Sequence, residues 1–389
     1  MDFKEIELKA PALLAAGRGA EVEAMVAPLL SNGGGPAPLW AFLAQALRVQ
    51  CRIAEAARVQ EMLVDALPGH VSTRFDLAES LLALGEYERG WREYSYRYSL
   101  NHTYRIERKV QLPRWDGRPI PGKVLLIHDE QGYGDTFQFM RMVSWAKARS
   151  GAQVILEVNH ETHSLATRMG GFDALTLRGE LPPAFDLHCE MMSLPMVMGL
   201  KLSDLPGTIP YLSPDPARVQ HWRKRLAGVG GLKVAVVWAG RPTHFNDANR
   251  SMTLASLAPL AQEGVTFLSI QKGPSEGDVA KPPPGMKIIG LSSEIRDFED
   301  TAAILTVADL LISVDSSPVH LAGALGRPAW VMLPFLPDWR WLLNREDTPW
   351  YPSVRLFRQP AWGDWPGLVR KVAGALAELR AAGPGKRPA

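Results

Sequence analysis

The chain has 389 residues, enough for two or three domains, with 46% hydrophobic and 22% charged residues, the balance of an ordinary globular protein. Its net charge of +2 gives no global electrostatic case for nucleic acid or an anionic membrane. Two cysteines, Cys51 and Cys189, lie far apart without metal-ligand spacing, and this fits a reducing compartment. The start, MDFKEIELKAPALLAAG, lacks a signal peptide's basic region, and no apolar run is long enough for a membrane span. A cytoplasmic protein is expected.

Residues 1–100 show self-similarity at a spacing of 34: Gly17, Cys51 and Gly85 fall in register, as do Gly19, Ile53 and Tyr87. The stretch FDLAESLLALGEYERGWREYSYRYSL carries a Leu–Gly–x–Tyr turn between two helical patterns, and it resembles a tetratricopeptide unit. Such units bury their apolar sides only by stacking, so the segment is either a docking surface for a partner or a cap fixed to the rest. Residues 101–120, mixing charge, Pro and Gly, read as a linker.

Lys123 to His128 (KVLLIH) reads as a buried strand, followed by the loop DEQGYG and a helix from Asp135. Gln131, Gly132 and Gly134 sit where α/β sheets approach ligands. Asp135 and Gln138 fit a capping box, the reading that spacing favours; the alternative is a carboxylate placed at the sheet's edge to take a proton. His128 reads as a lone, structural histidine. Val154 to Val158 gives the next strand, and FDLHCEMMSLPMVMGL a further strand with a Met-rich helix. The proline-rich DLPGTIPYLSPDPARV divides two lobes, residues 121–215 and 216–380.

In the second lobe, Lys233 to Trp238 is a strand, followed by the polar loop AGRPTHFNDANRSM. Arg250 in that loop suits a bidentate phosphate contact. Thr266 to Ile270 and KIIGL are strands; Gln271 and Lys272 follow the first directly, Gln271 as a candidate ribose or base contact and Lys272 again placed for phosphate. Asp300 and Thr301 either cap the helix RDFEDTAAILTVADL or face a ribose. The stretch LLISVDSSPVHLAGALGRPAWVMLP then reads as strand, turn, helix and strand. Ser317 is the expected N-cap and Pro318 the first helical position, which leaves the amides of Val319, His320 and Leu321 for an anion. Trp339, Trp341 and Trp350 either stack on a base or sugar or form a packed seam. Residues 381–389 read as a disordered tail.

Together EQGYGDTFQF, WAGRPTHFNDANRS, QKGP, RDFEDTAA and SVDSSPVHLAGALGRPAWVMLP resemble the heptosyltransferase-like glycosyltransferases of the two-lobed GT-B class. The closer likeness is to bacterial proteins that place tetratricopeptide units ahead of such a domain. The resemblance implies an α/β GT-B fold, two Rossmann-like lobes facing a cleft, preceded by an all-α repeat domain. It places the catalytic base on Asp135. It puts the phosphate turn on Asp315, Ser316, Ser317 and His320, with Ser-Ser where the family has Thr-Gly. It implies an inverting, metal-independent transfer from a nucleotide sugar, with no cofactor and no metal. The acceptor would be a protein held by the repeats, as in flagellin modification, or a glycan or lipid precursor. The rivals are a nucleotide-sugar epimerase on the same fold and a non-catalytic scaffold.

Overall fold

The computed structural model describes residues 2–31, 33–100, 110–244 and 246–382. Residues 101–109 of the proposed 101–120 linker and 383–389 of the 381–389 tail therefore lie outside the described residues.

The first hundred residues form three helix pairs. These are α1 (Phe3–Ala15) with α2 (Gly19–Leu30), α3 (Ala37–Val49) with α4 (Ile53–Ala66), and α5 (Val71–Ala83) with α6 (Tyr87–Tyr94). First helices begin at 3, 37 and 71 and second helices at 19, 53 and 87, so the 34-residue register is the register of the helices themselves. Each first helix ends on a left-handed residue, Gly17 (φ 76°), Cys51 (φ 59°) or Gly85 (φ 82°). The following amide then bonds back to the carbonyl five residues earlier: Arg18 to Leu13, Arg52 to Leu47 and Glu86 to Leu81, each at 2.9 Å. This wrapping of the last turn satisfies carbonyls that would otherwise lack donors. Glycine adopts that backbone without cost; cysteine at 51 does so against its side chain.

Two parallel sheets follow. The first contains β1 (Val124–His128), β2 (Gln153–Val158), β3 (Ala174–Leu177) and β4 (Leu187–Glu190), in the order β3-β2-β1-β4. Helices α7 (Tyr133–Phe139), α8 (Val143–Ser150) and α9 (His160–Ala166) cross between its strands, and α10 (Leu194–Met198) follows β4. Helix α11 (Pro216–Arg225) then leads to the second sheet: β5 (Leu232–Val237), β6 (Val265–Ser269), β7 (Ile288–Gly290), β8 (Leu310–Val314), β9 (Ala329–Leu333) and β10 (Val354–Arg358). Its order is β10-β9-β8-β5-β6-β7, the doubly wound arrangement of a dinucleotide-type sheet. Helices α12 (Asp247–Arg250), α13 (Phe298–Val307) and α14 (Ser317–Ala324) connect its strands, and α15 (Trp365–Ala381) closes it. Strands β3 and β10 were not anticipated. The segment ALTL is short and half exposed, and VRLFR carries two arginines among its apolar residues.

The helix pairs dock along the edge formed by their turns. A Cβ on Gly17 would strike Trp362, the Cys51 thiol lies 3.6 Å from the Phe335 carbonyl, and Gly85 faces Leu202. From α6, Trp91 packs edge-on against Phe139 of the first lobe and Trp339 of the second, while Trp350 Nε1 donates to the Tyr87 hydroxyl at 3.1 Å. Buried Arg97 donates to Glu130 and Ser193. Burying rings of this size removes a large apolar area from water, so the last pair is welded to both lobes.

Candidate functional site

In open α/β sheets ligands sit beyond the carboxyl ends of the strands, where the strand order reverses. Here the two reversal points, β1/β4 and β5/β8, face one another across a cleft of about 590 Å³. Its lining joins the loop and helix after β1, the loop after β5, the turn after β8 and the segment after β9. The volume is that of a pocket for a small organic ligand.

On the first-lobe side, α7 begins at Tyr133 rather than Asp135, with Gly132 at the N-cap. Asp135 is thus the third helical residue, and its Oδ2 accepts from the Gly132 amide at 2.9 Å. The capping box with Gln138 does not form; Gln138 Oε1 accepts from Arg340 Nε at 2.9 Å instead. Gln131, Gly132, Gly134 and Asp135 all line the cleft. Gly134 is required by proximity, since a Cβ there would lie 2.9 Å from His320 Cδ2 on the facing helix.

Across the cleft, Pro318 is inside the first turn of α14 as expected, but the N-cap is Ser316, not Ser317. The Val319 amide is already taken by the Ser316 carbonyl at 3.0 Å, and the Val319 and Leu321 side chains are buried in the core. Neither residue lines the cleft, which corrects their place in the anion site. Asp315, Ser316, Ser317, Pro318 and His320 do line it. The Ser316 hydroxyl pairs with Ser313 at 3.0 Å.

His320 is not a cation. Burial first, and then the Arg340 charge, push its imidazole down to about 3. Its ring stacks on Trp341 and its Nδ1 lies 3.1 Å from the Tyr351 hydroxyl. A neutral ring in the first turn avoids opposing the helix dipole. Burial and the neighbouring Asp338 carboxylate push Asp315 up to about 6.

Arg250 and Lys272 both line the cleft. Arg250 packs on Gly240, where a Cβ would come 2.6 Å from its Nη2, and Nη1 donates to the Asp315 carbonyl at 3.3 Å. Lys272 Nζ donates to the Ser292 carbonyl at 2.8 Å. Gln271 also borders the cleft, but its amide bonds the backbone of Trp238, Ala239 and Lys272, which makes it a clamp on the loops. Asp300 is displaced altogether. Asp297 caps α13, and Asp300 accepts from Arg218, Trp222 and Arg296. Although burial opposes its charge, those bonds hold Asp300 at about 2. It neither caps nor faces a ribose, whereas Thr301 reaches the cleft lining.

Asp338 and Arg340 were missed. Arg340 donates across the cleft to Asp135 and makes paired bonds to Asp338 at 2.9 and 3.0 Å. The only sequence signal was a charged pair, Asp-Trp-Arg, inside an apolar run after β9; the tryptophans masked it. Trp339, Trp341 and Trp350 are buried and form the seam. His128 is not alone either, since His188 on the neighbouring strand lies 3.1 Å away.

No helix among the described residues is long and apolar enough to cross a membrane. No family model matches the chain. Protein FlbA of Caulobacter vibrioides is 30% identical over 334 residues, which is 79% of this chain and 55% of that protein, so the chain spans about half its length. Among solved structures the chain is similar to Escherichia coli ADP-heptose heptosyltransferase II, with TM-score 0.48 and 14% identity over 67% of this chain and 99% of that one. It is also similar to a family 9 glycosyl transferase of Veillonella parvula, with TM-score 0.46 and 10% identity over 63% and 88% of the two chains. A mutant O-GlcNAc transferase of Thermobaculum terrenum aligns over 97% of this chain and 91% of its own, with TM-score 0.32 and 13% identity.

Proposed function

We propose that the chain is an inverting glycosyltransferase of the GT-B type, moving a sugar from a nucleotide-sugar donor to a hydroxyl of a protein, glycan or lipid precursor. The observation that carries the reading is the pairing of two strand-end loops across one cleft: Asp135 after β1 faces the Asp315–Ser317 turn after β8.

The acceptor hydroxyl loses its proton to Asp135 as its oxygen attacks the anomeric carbon. The bond from that carbon to the diphosphate oxygen breaks on the opposite face, so configuration inverts. The departing diphosphate carries the developing negative charge. The Ser316 and Ser317 end of α14, with Arg250 and Lys272 on neighbouring loops, neutralises it. His320, neutral and stacked, supports the turn and adds no charge. Arg340 holds the Asp135 carboxylate in place across the cleft. A carboxylate fixed by a backbone amide and a guanidinium is a well-aimed base. Asp338 takes the other edge of the same guanidinium and so orients it.

The 34-residue pairs read as tetratricopeptide-like units. Their turn edge is occupied by the lobes, which favours a brace for the cleft over a free peptide groove; an acceptor protein would meet the remaining helix faces.

A thermal-shift panel of UDP, GDP, ADP and CMP identifies the donor nucleotide. Saturation a hundredfold above its Kd adds about 2.7 kcal/mol. Asp135→Asn is expected to keep that shift and lose transfer. Unchanged transfer removes Asp135 from the mechanism, and a chain that answers to no nucleotide is not a transferase.

A further inference from the structure

Outside the cleft, the first sheet carries a polar row on one face. Leu125, Ile127, Val154, Leu156 and Cys189 point into the main core, and the residues between them point the other way. In register, His128 is paired with Glu190 on β4 and with Glu157 on β2, while His188 pairs with Leu126. Side chains two apart on a strand share a face, so His128, His188, Glu190 and Glu157 stand together.

We propose that His128, His188 and Glu190 bind a divalent transition-metal ion of the zinc and ferrous class. One ligand atom from each lies within 4.8 Å of the other two. His128 Nε2 is 3.1 Å from His188 Nδ1, and His188 Nδ1 is 3.9 Å from Glu190 Oε1. With no side longer than 4.8 Å, a triangle with those two edges has a centre at most about 2.4 Å from its corners, within a few tenths of an ångström of ordinary metal–nitrogen and metal–oxygen lengths. The donor set of two imidazoles and one carboxylate suits zinc and iron and is poor for calcium or magnesium, which want oxygen alone.

Three features separate this cluster from an ordinary buried hydrogen-bond group. The three side chains are 2% exposed or less, and none lines the cleft. Arg114 Nε donates to Glu190 Oε1 at 2.8 Å, but the second carboxylate oxygen, Oε2, is buried with no hydrogen-bond partner, which leaves a donor atom for an ion. His128 Nδ1 can donate to the Asp129 carbonyl 3.4 Å away, which turns the Nε2 lone pair toward the cluster. Metal-bound histidines are oriented by just such a bond from the other ring nitrogen. A proton between the two imidazoles and a metal ion compete for the same place. The ion would tie β1 to β4 at the strand ends from which the loop to Asp135 leaves. The proposal stands apart from the transferase reading, because the cluster needs no nucleotide and takes no part in transfer.

Cobalt(II) is the probe. Full-length protein, stripped with a chelator, is titrated with cobalt chloride and followed by visible ligand-field absorption, then back-titrated with zinc chloride. One equivalent is expected to bind and to be displaced by zinc. Glu190→Gln and His188→Gln are each expected to lower the affinity at least tenfold, while His163→Gln on α9 leaves it unchanged. Far-UV circular dichroism of the metal-free variants checks that they fold. Zinc X-ray absorption of the wild type is the second measurement and needs no variant. It is expected to show only nitrogen and oxygen neighbours, with the outer-shell pattern of two imidazoles. The proposal is overturned by a wild type that does not saturate near one equivalent, by a folded Glu190→Gln that binds cobalt as well as wild type, or by sulfur in the zinc shell.

Discussion

Replacing Arg340 with methionine tests the cross-cleft connection most directly. The guanidinium is 9% exposed and serves three acceptors: Asp135 of the first lobe, Asp338 beside it, and Gln138 Oε1. Methionine fills much of the same volume, so the loss is chiefly electrostatic and not a cavity. Gln138 is fully buried, and leaving its oxygen without a donor costs about 1–3 kcal/mol. Asp135 keeps the Gly132 amide and is 21% exposed, so its lost partner adds about 1–2 kcal/mol rather than the full cost of an orphaned buried charge. Asp338 is 36% exposed and rehydrates, adding little. The sum is about 3 kcal/mol. Urea unfolding followed by tryptophan fluorescence suits the measurement, because Trp339 and Trp341 flank the substitution. Arg340→Lys should restore part of the loss, since it keeps the charge but not the fork. A loss below about 1 kcal/mol for Arg340→Met would refute the claim that this residue joins the lobes.

Further expectations concern the same cleft and its brace. Asp315 rises from 3.8 to about 6 in the fold, so its ionisation opposes folding; the penalty is absent below pH 3.8, grows as pH rises to 6, and is constant above. Asp315→Asn should therefore gain on wild type across that window, by about 3 kcal/mol at most, in melts taken at several pH values; parallel curves would show that Asp315 is not raised. Gly134→Val places atoms where His320 already lies and should weaken nucleotide binding by calorimetry; full affinity would mean the two helices do not approach as described. Trp91→Ala removes a buried ring touching both lobes and should cost about 3–5 kcal/mol, read by chemical unfolding, with a small effect arguing against the weld.

Local signals were legible because they are short-range. The 34-residue register survives in sequence because each helix pair must end its first helix on a left-handed turn, which selects glycine twice and tolerates cysteine once. The strands at Leu310–Val314 and Ala329–Leu333 were legible because parallel strands buried on both faces are uninterrupted apolar runs bounded by Asp315, Gly326 and Pro334. The glycine loop after β1 and the Ser-Ser-Pro turn after β8 follow from backbone chemistry that a few adjacent residues dictate.

What the tertiary structure alone decided is where long side chains spend their hydrogen bonds. Asp135, an N-cap by spacing, became the third helical residue because Gly132 starts the helix and Arg340 reaches it from 205 positions away. Asp300 turned inward because Arg218 and Trp222, on a helix some eighty residues earlier, need its carboxylate. Val319 lost its donor to the Ser316 carbonyl through a one-residue shift of the helix start, a detail below the reach of cap preferences. His128 acquired His188 only because β4 returns to lie beside β1. Periodicity reports which face of an element is apolar; it carries no term for a partner brought near by the fold.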